Sequence, residues 1–226
     1  MWWNLKGNKR PYIILSAAMT IDGKIATKTG DPDISDEGDW KAVHKLRTEV
    51  DAIMVGKVSI ILDNPKLHIK FYEHKGYFRI VLDSKLSIPI ESNVITFKPE
   101  IYPTIIVTTE NAPVEKIKEF ESKNIEIIKS GKGRRVDVVN LMPILYHKGV
   151  KRILLEGGGN LNWSFIKNNL VDEIRIAIAP WMAGGKDAVS LVEGEGFAKM
   201  FESPRYLLSD VSSRNNYVTL NYKKEE

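Results

Sequence analysis

Short apolar runs alternate with amphipathic stretches along this chain of 226 residues, and this alternation constrains its fold more than any other feature. Several of the runs are nearly continuous Val, Ile and Leu, which is typical of strands buried on both faces of a largely parallel sheet. The pattern therefore predicts a single α/β domain over residues 1–226, with helices on both faces of the sheet and residues 1–9 as a tail. The runs are residues 12–18, 52–55, 79–82, 104–108, 125–128, 152–155 and 173–179.

The amphipathic stretches between the runs predict four helices. Ser35 is expected to cap the first, because acidic residues follow it where the helix dipole favours negative charge. The apolar positions of this helix recur at steps of three and four residues and predict its buried face; they are Trp40, Val43, Leu46 and Val50. The predicted helices run from Ser35 to about Glu49, over residues 114–122, from Asp137 to near Gly149, and over residues 161–169.

The end of the chain predicts an antiparallel hairpin. Residues 206–209 and 217–222 have strand composition, and the polar segment 212–216 between them is expected to form the turn. Such a hairpin would add antiparallel strands to one edge of the sheet, so we expect the sheet to be mixed.

Composition excludes several classes of protein. Cys is absent, which excludes disulfides and thiolate metal sites, and no apolar run reaches the roughly 20 residues of a membrane span. The first residues lack an apolar signal core, so we predict a cytoplasmic protein. The net charge of +4 mildly favours small anionic ligands but is too dispersed for nucleic acid, and the basic segment 132–135 is interpreted as a solvated loop. The four His lack metal-ligand spacing, so no metal is predicted, and Trp2 and Trp3 are interpreted as part of the tail.

The strongest local signal is a buried strand that runs into Gly157, Gly158 and Gly159 and then into a helix. Glycine lets the backbone approach a ligand closely, and a helix N-terminus offers unpaired N–H groups and partial positive charge. We therefore predict a phosphate site at this glycine turn, with a pyrophosphate as its natural occupant. The alternative is a tight strand-to-helix turn without a ligand. The turn matches neither the G-x-G-x-x-G fingerprint nor a P-loop.

Glu156 ends the strand before the glycine turn, and it could orient a polar substrate or be structural. Polar residues also follow three other predicted strand ends. Ser59 and Asp63 share one helical face and could hold a ribose or an amide, although the segment taken alone is more typical of a capped surface turn. Ser84 and Lys85 offer the hydroxyl and the cation that a 2′-phosphate needs, whereas the segment 22–23 indicates only a turn.

Taken in order, these motifs resemble one family. They look like the riboflavin-biosynthesis reductases, which comprise stand-alone archaeal and fungal enzymes and the C-terminal domain of the bacterial bifunctional deaminase-reductase. The resemblance covers roughly residues 10–200, and because the bacterial deaminase motif is missing, the chain resembles the single-function form. The matching stretches are residues 19–26, 43–47, 50–56, 63–67, 81–86, 154–159 and 170–173, with Ile178-Ala179-Pro180 and Gly184-Gly185.

The resemblance implies a dihydrofolate-reductase-like fold, a homodimer, and NADPH as cofactor, with NADH possible as a weaker donor. It implies reduction of the ribosyl group of 2,5-diamino-6-ribosylamino-4(3H)-pyrimidinone 5′-phosphate to a ribityl group. The hydride would pass to C1′ of the sugar through an open Schiff-base form. Candidate dimer surfaces are the C-terminal strands and Trp181-Met182.

The resemblance also assigns site residues. Arg47, Leu67, Lys70 and Glu156 correspond to substrate contacts, and Arg47 could grip a phosphate through its planar fork. Ser59 stands where Thr is usual, Lys70 where Arg is frequent and Pro32 near a frequent Ser. No proton donor is assigned, because Asp63 and a bound water are equally plausible. The residues that correspond to cofactor contacts are Ser59, Asp63, Val81, Leu82, Asp83, Ser84, Lys85, Gly157, Gly158, Gly159 and Asn160.

Two other functions remain open. A reductase of the same fold could act on the deaminated pyrimidine or on a dihydropterin, since ring selectivity rests on few contacts. A non-catalytic dinucleotide sensor is the alternative from another class. The joint presence of Arg47, Asp63 and Glu156 argues against a sensor, which would not need a substrate side.

Overall fold

The computed structural model describes residues 9–225, and these contain one nine-stranded sheet in the order β5-β4-β3-β2-β6-β1-β7-β9-β8. Trp2, Trp3 and most of the predicted tail lie outside the described residues. The strands are β1 (Tyr12–Thr20), β2 (Ala52–Gly56), β3 (Phe78–Leu82), β4 (Thr104–Thr108), β5 (Glu126–Lys129), β6 (Arg152–Leu155), β7 (Glu173–Ala179), β8 (Tyr206–Arg214) and β9 (Tyr217–Lys224).

Strands β1 to β7 pair in parallel, whereas β9 runs antiparallel to both β7 and β8. The predicted class, a mostly parallel sheet with a C-terminal antiparallel hairpin, is therefore confirmed. Strand β6 lies between β1 and β2. Strands β2 to β5 therefore extend from β6 towards one edge of the sheet, and β1 and β7 extend towards the other. The carboxyl ends of all seven parallel strands meet at one edge of the sheet, which is where open α/β sheets bind ligands.

Helices cover both faces of the sheet. One apolar core lies between the sheet and α1 to α4, and a second lies between the sheet and α5 and α6. No helix within residues 9–225 is long and apolar enough to cross a membrane. The helices are α1 (Glu37–Arg47), α2 (Lys57–Asp63), α3 (Asn93–Thr96), α4 (Val114–Glu121), α5 (Val138–His147) and α6 (Gly159–Ile166), with a 3-10 turn at Met200–Glu202.

Helix α1 differs from its prediction in its cap and in its buried face. Its N-cap is Asp36, which accepts from the N–H of Asp39, and not Ser35. Three polar residues of this helix are buried, Asp39, His44 and Arg47, whereas the predicted core residue Trp40 is 44% exposed. The apolar spacing was misleading here because this face of the helix packs on charged and polar partners, among them Arg175 of β7, which pairs with Asp39 at 2.6 Å.

Two other boundaries are corrected. The hairpin turn consists of two residues, Asn215 and Asn216, and not of the predicted segment 212–216, because both have positive φ and so form the tight turn that suits twisted strands. Helix α6 begins at Gly159, two residues before the predicted start, so the last glycine of the turn is already helical.

Candidate functional site

The carboxyl edge of three neighbouring strands collects the predicted cofactor residues. Strands β6, β2 and β3 are adjacent, and the glycine turn, α2 and Ser84 follow them respectively. Two backbone hydrogen bonds link the first two strand ends, from Gly56 N–H to Gly157 O at 2.9 Å and from Glu156 N–H to Met54 O at 3.0 Å. Residues distant in sequence are therefore side by side at this edge.

The three glycines of the turn have three different physical roles. Gly157 has φ +80°, a conformation that favours glycine. A Cβ added at Gly158 would meet nothing within 4 Å, so this position is open to an approaching ligand. A Cβ at Gly159 would lie 2.5 Å from Ser190 O and 2.6 Å from Glu193 Cγ, so this glycine is required by internal packing.

The start of α6 offers free donors. Within the described chain, the backbone N–H groups of Gly158, Gly159 and Asn160 donate to no protein acceptor. The side chain of Asn160 donates to Glu193 Oε2 at 2.6 Å, so a carboxylate lies beside the turn. The free N–H groups and the open side of Gly158 are the features that an anion site requires.

Helix α2 carries Ser59 and Asp63 on one face, as their spacing predicts, and it begins directly after Gly56 beside the glycine turn. Ser59 is half-buried and Asp63 is exposed. Partial desolvation raises the pKa of Asp63, and the nearby carboxylate of Asp31 adds to this rise. The helix ends at Asn64, whose φ of +41° turns the chain away.

The strand end at β3 requires a correction. Val81 is fully buried and Leu82 is 9% exposed, so both side chains belong to the core and not to a ligand surface. Asp83 is also fully buried, and its carboxylate accepts from the N–H groups of Lys85, Ser87 and Ile88. These bonds close the turn after β3, so the Asp83 side chain is structural.

Ser84 and Lys85 remain available at this strand end, and a basic loop adjoins them. Ser84 Oγ accepts from the N–H of Val136 at 3.1 Å, which ties the segment 132–135 to Ser84. Glu110 and Asp137 are the acidic residues at the base of this loop: Glu110 N–H binds Gly131 O, and Asp137 caps α5. The segment that we interpreted as a solvated loop is therefore exposed, but it also borders a predicted cofactor position.

Arg47 and Glu156, two predicted substrate contacts, pair with each other. Arg47 Nε donates to Glu156 Oε1 and Arg47 Nη2 to Oε2, both at 2.8 Å, and Nη1 donates to His68 O at 2.9 Å. Their side chains are 7% and 14% exposed. Burial lowers the pKa of Arg47, but the Glu156 carboxylate outweighs this effect and leaves the pKa above its ordinary value. The fork that we expected to grip a phosphate is therefore occupied by Glu156.

A cleft of about 500 Å³ adjoins this pair. It contains Arg47, Leu67 and Lys70, three of the four predicted substrate contacts, and the fourth, Glu156, is bound to Arg47. A larger groove at the amino ends of β2 and β3 contains none of the predicted site residues. The cleft is lined by Glu37, Trp40, His44, Arg47, Pro65, Lys66, Leu67, His68, Lys70 and Phe71.

A protein-family model described as the RibD C-terminal domain matches residues 11–218. The chain belongs to this family. It is similar to the 2,5-diamino-6-ribosylamino-4(3H)-pyrimidinone 5′-phosphate reductase of Methanothermobacter thermautotrophicus, with 43% identity over 87% of this chain and 90% of that protein. The protein of the same name from Aquifex aeolicus is 37% identical over 85% of this chain and 87% of its own length.

A solved structure confirms the fold class. Acinetobacter baumannii RibD superposes with a TM-score of 0.79 at 20% identity, over 96% of this chain. The chain spans 58% of the length of that protein. The family and the fold that the ordered motifs predict are therefore both confirmed.

Several residues at this edge were not predicted from the sequence. Lys24 Nζ donates to Ser190 Oγ at 2.9 Å, which brings the loop after β1 to the segment that packs on Gly159. The Asp22 carboxylate accepts hydrogen bonds from the Thr20 hydroxyl and from the N–H groups of residues 183 and 184, so it joins two loops. These bonds lower the pKa of Asp22 to about 2. His44 was missed because it lies on the polar face of α1, which an apolar pattern cannot reveal.

Proposed function

We propose that this member of the RibD C-terminal domain family reduces the ribosyl group of 2,5-diamino-6-ribosylamino-4(3H)-pyrimidinone 5′-phosphate to a ribityl group, with NADPH as the donor. The names of its relatives in Methanothermobacter and Aquifex support this substrate. The observation that carries the proposal is the pairing of Arg47 with Glu156 between a cationic cleft and the glycine turn. A sensor would need only the glycine turn.

The glycine turn fits the pyrophosphate of a dinucleotide. Gly158 leaves open space where another residue would have a Cβ, and the free N–H groups of Gly158, Gly159 and Asn160 are donors for phosphate oxygens. When bound, the nicotinamide supplies the hydride that the sugar carbon accepts. The task of the chain is to hold the sugar against it and to exclude competing orientations.

The strand end at β3 favours NADPH over NADH. The extra 2′-phosphate of NADPH needs a hydroxyl donor and cations. Ser84 and Lys85 offer these, and the tether from Val136 to Ser84 brings Arg134 and Arg135 to the same strand end. Since NADH lacks this phosphate, the basic residues would contribute to binding only one of the two cofactors.

The cleft side favours a phosphorylated sugar. Lys66 and Lys70 line the cleft and supply positive charge for a phosphate, while Arg47 is engaged with Glu156. Two charge-assisted bonds hold the Glu156 carboxylate in place, and its oxygens retain lone pairs for hydroxyl groups of the open sugar. In this arrangement Glu156 orients the sugar, and Arg47 orients Glu156.

The exposed C-terminal hairpin supports the predicted homodimer. Leu207, Leu208 and Val211 of β8 are each more than half exposed, and β8 is the edge strand of the sheet. Edge strands with exposed apolar side chains pair readily with a second strand. Action in the cytoplasm remains a prediction of the cysteine-free composition.

Substrate-dependent NADPH oxidation tests the proposal. Purified protein is mixed with NADPH and, in separate assays, with the diamino ribosylaminopyrimidine phosphate, its deaminated counterpart and a dihydropterin. We expect absorbance loss at the NADPH band only with the first, and a product that has gained two hydrogen atoms by mass spectrometry. Turnover of another of the three would reassign the substrate. NADPH binding without turnover of any would favour the sensor.

A further inference from the structure

The imidazole of His44 is a buried polar group with one nitrogen in use and one free. His44 lies on α1 and is 4% exposed. Its Nδ1 accepts a hydrogen bond from the backbone N–H of Lys70 at 2.8 Å. An acceptor nitrogen carries no proton, so this bond assigns the neutral tautomer with the proton on Nε2.

The surroundings of His44 keep the imidazole in that state. Burial and, to a smaller extent, the positive charges of Arg47, His68 and Lys70 together lower its pKa to about 4. Ring contacts with Trp40, Phe71 and His68 hold the imidazole plane, with centroid distances of 6.1, 5.0 and 6.3 Å. The cations around His44 keep the imidazole neutral, and the aromatic rings fix its orientation.

The free Nε2–H has no partner in the part of the chain that the structure describes. His44 lines the cleft together with Arg47, Leu67 and Lys70. The fork of Arg47 is engaged with Glu156 and the carbonyl of His68. The Arg47 fork is therefore already engaged and is not a free donor for an oxyanion. The imidazole N–H of His44 is a free, uncharged donor among the residues that line the cleft.

We propose that His44 donates its Nε2–H to an oxygen of the phosphorylated sugar in this cleft, while its Nδ1 positions the backbone of Lys70. The phosphate thus meets a directed neutral donor in His44 and a mobile cation in Lys70. This assignment rests on the proposed function in one respect only, that the cleft takes a phosphorylated sugar. It adds a substrate contact that lies on α1, three residues before Arg47.

Two substitutions separate the two nitrogens of His44. Asn has its amide oxygen near the place of Nδ1, so His44→Asn keeps the bond to Lys70 N–H but loses the donor into the cleft. Gln reaches the place of Nε2, so His44→Gln keeps the donor and loses the acceptor. His147→Asn is the matched control, because His147 is an exposed histidine of α5 on the other face of the sheet.

The measurements are the dissociation constants of ribose 5-phosphate and of NADPH by calorimetry, with KM and kcat for the pyrimidine substrate. We expect His44→Asn to weaken ribose 5-phosphate binding and raise KM by about tenfold, which is the effect of losing one bond to a charged group. His44→Gln should stay within about threefold of the wild type, and His147→Asn should equal it. The dissociation constant of NADPH and kcat should change by less than about twofold in all three variants.

Several outcomes would overturn the assignment. Unchanged ribose 5-phosphate binding in His44→Asn would exclude the Nε2 contact, and equal losses in Asn and Gln variants would reduce His44 to a packing role. Nitrogen-15 NMR of the wild-type imidazole must also show the Nε2–H tautomer at neutral pH. If wild-type protein binds ribose 5-phosphate through His44 but leaves the pyrimidine unchanged, the proposed substrate fails and the His44 contact stands. If it binds no sugar phosphate, both fail.

Discussion

Arg47 of α1 and Glu156 at the end of β6 form a two-point ion pair in which both nitrogen–oxygen distances are 2.8 Å. The two residues are 109 positions apart in sequence and are predicted as separate substrate contacts, yet each is the main partner of the other. Because the pair is almost buried, removal of one charge leaves the other uncompensated. Substitutions at the two positions should therefore be non-additive.

Glu156→Gln should lower kcat/KM by about 100-fold, because an amide cannot hold both Arg47 nitrogens and offers the sugar one acceptor instead of two. NADPH affinity should change little, since the Glu156 carboxylate is bound to Arg47, which lines the cleft. The unfolding free energy should fall by about 1–3 kcal/mol, which is the cost of a weakened buried charge pair. Steady-state kinetics, NADPH titration and urea denaturation measure the three effects.

Glu126→Gln provides the control, because Glu126 pairs with Lys148 at the surface and surface pairs contribute about 0–1 kcal/mol. It should leave both kinetics and stability nearly unchanged. If Glu156→Gln retains full turnover, Glu156 is structural and the orienting role proposed for it is wrong.

Gly158→Ala and Gly159→Ala should separate ligand binding from stability. The methyl group at Gly158 enters open space, so we expect nearly wild-type stability and an NADPH dissociation constant raised by roughly tenfold. The methyl group at Gly159 would lie 2.5 Å from Ser190 O, so this variant should lose about 1–3 kcal/mol of unfolding free energy. Thermal denaturation and NADPH titration of both variants measure these two effects. A stability loss in Gly158→Ala with unchanged NADPH binding would place the phosphate site elsewhere.

The strands were predictable because buried parallel strands carry nearly uniform Val, Ile and Leu. Strands β4, β6 and β7 have the predicted bounds, and the others differ at their ends by one to several residues. The buried face of helix α1 was harder to predict, because Asp39, His44 and Arg47 are buried against ionic and hydrogen-bonding partners that are distant in sequence. The turn at Asn215 and Asn216 contradicted a simple polar-segment rule, since φ values decide where a hairpin reverses.

The candidate site was predictable only in outline. The ordered motifs indicate the family, which the match over residues 11–218 confirms, but they do not indicate how the individual side chains are used. Asp83 illustrates the limit: a carboxylate at a strand end is typical of a ligand contact, yet three backbone N–H groups occupy it. His44 illustrates the converse, because its role depends on a hydrogen bond to Lys70, 26 residues away.

The double substitution Arg134→Ala and Arg135→Ala should reduce the preference for NADPH. Both arginines adjoin Ser84 through Val136, so their loss should raise the KM for NADPH by about tenfold and leave the KM for NADH unchanged. The control is the double substitution Lys118→Ala and Lys123→Ala, which removes the same charge at exposed positions of α4 and of the turn after it. It should change neither the KM for NADPH nor the KM for NADH. Equal losses for both cofactors would show only a general electrostatic effect.

His44 should make stability fall in acid. Its folded pKa of about 4 lies below the unfolded value near 6.5, so the unfolded chain binds more protons between these values. The stabilisation is complete above pH 6.5 and declines as the pH falls towards 4. Relative to His44→Gln, the wild type should lose roughly 1 kcal/mol of unfolding free energy between pH 7 and pH 5, after allowance for partial solvent access. Urea denaturation at the two pH values measures this difference, and a constant difference would contradict the depressed pKa.

The edge strand β8 should form the dimer surface. We expect wild-type protein to elute with twice the chain mass of 25.6 kDa, because exposed Leu207, Leu208 and Val211 gain burial only against a second copy. Substituting Leu208→Lys and Val211→Lys places charge on that surface and should yield the monomer. Val114→Lys, on exposed α4 at the other end of the sheet, introduces the same charge and should stay dimeric. Light scattering coupled to size-exclusion chromatography distinguishes the masses, and a dimer that survives the β8 substitutions would assign the interface to another surface, such as that around Trp181.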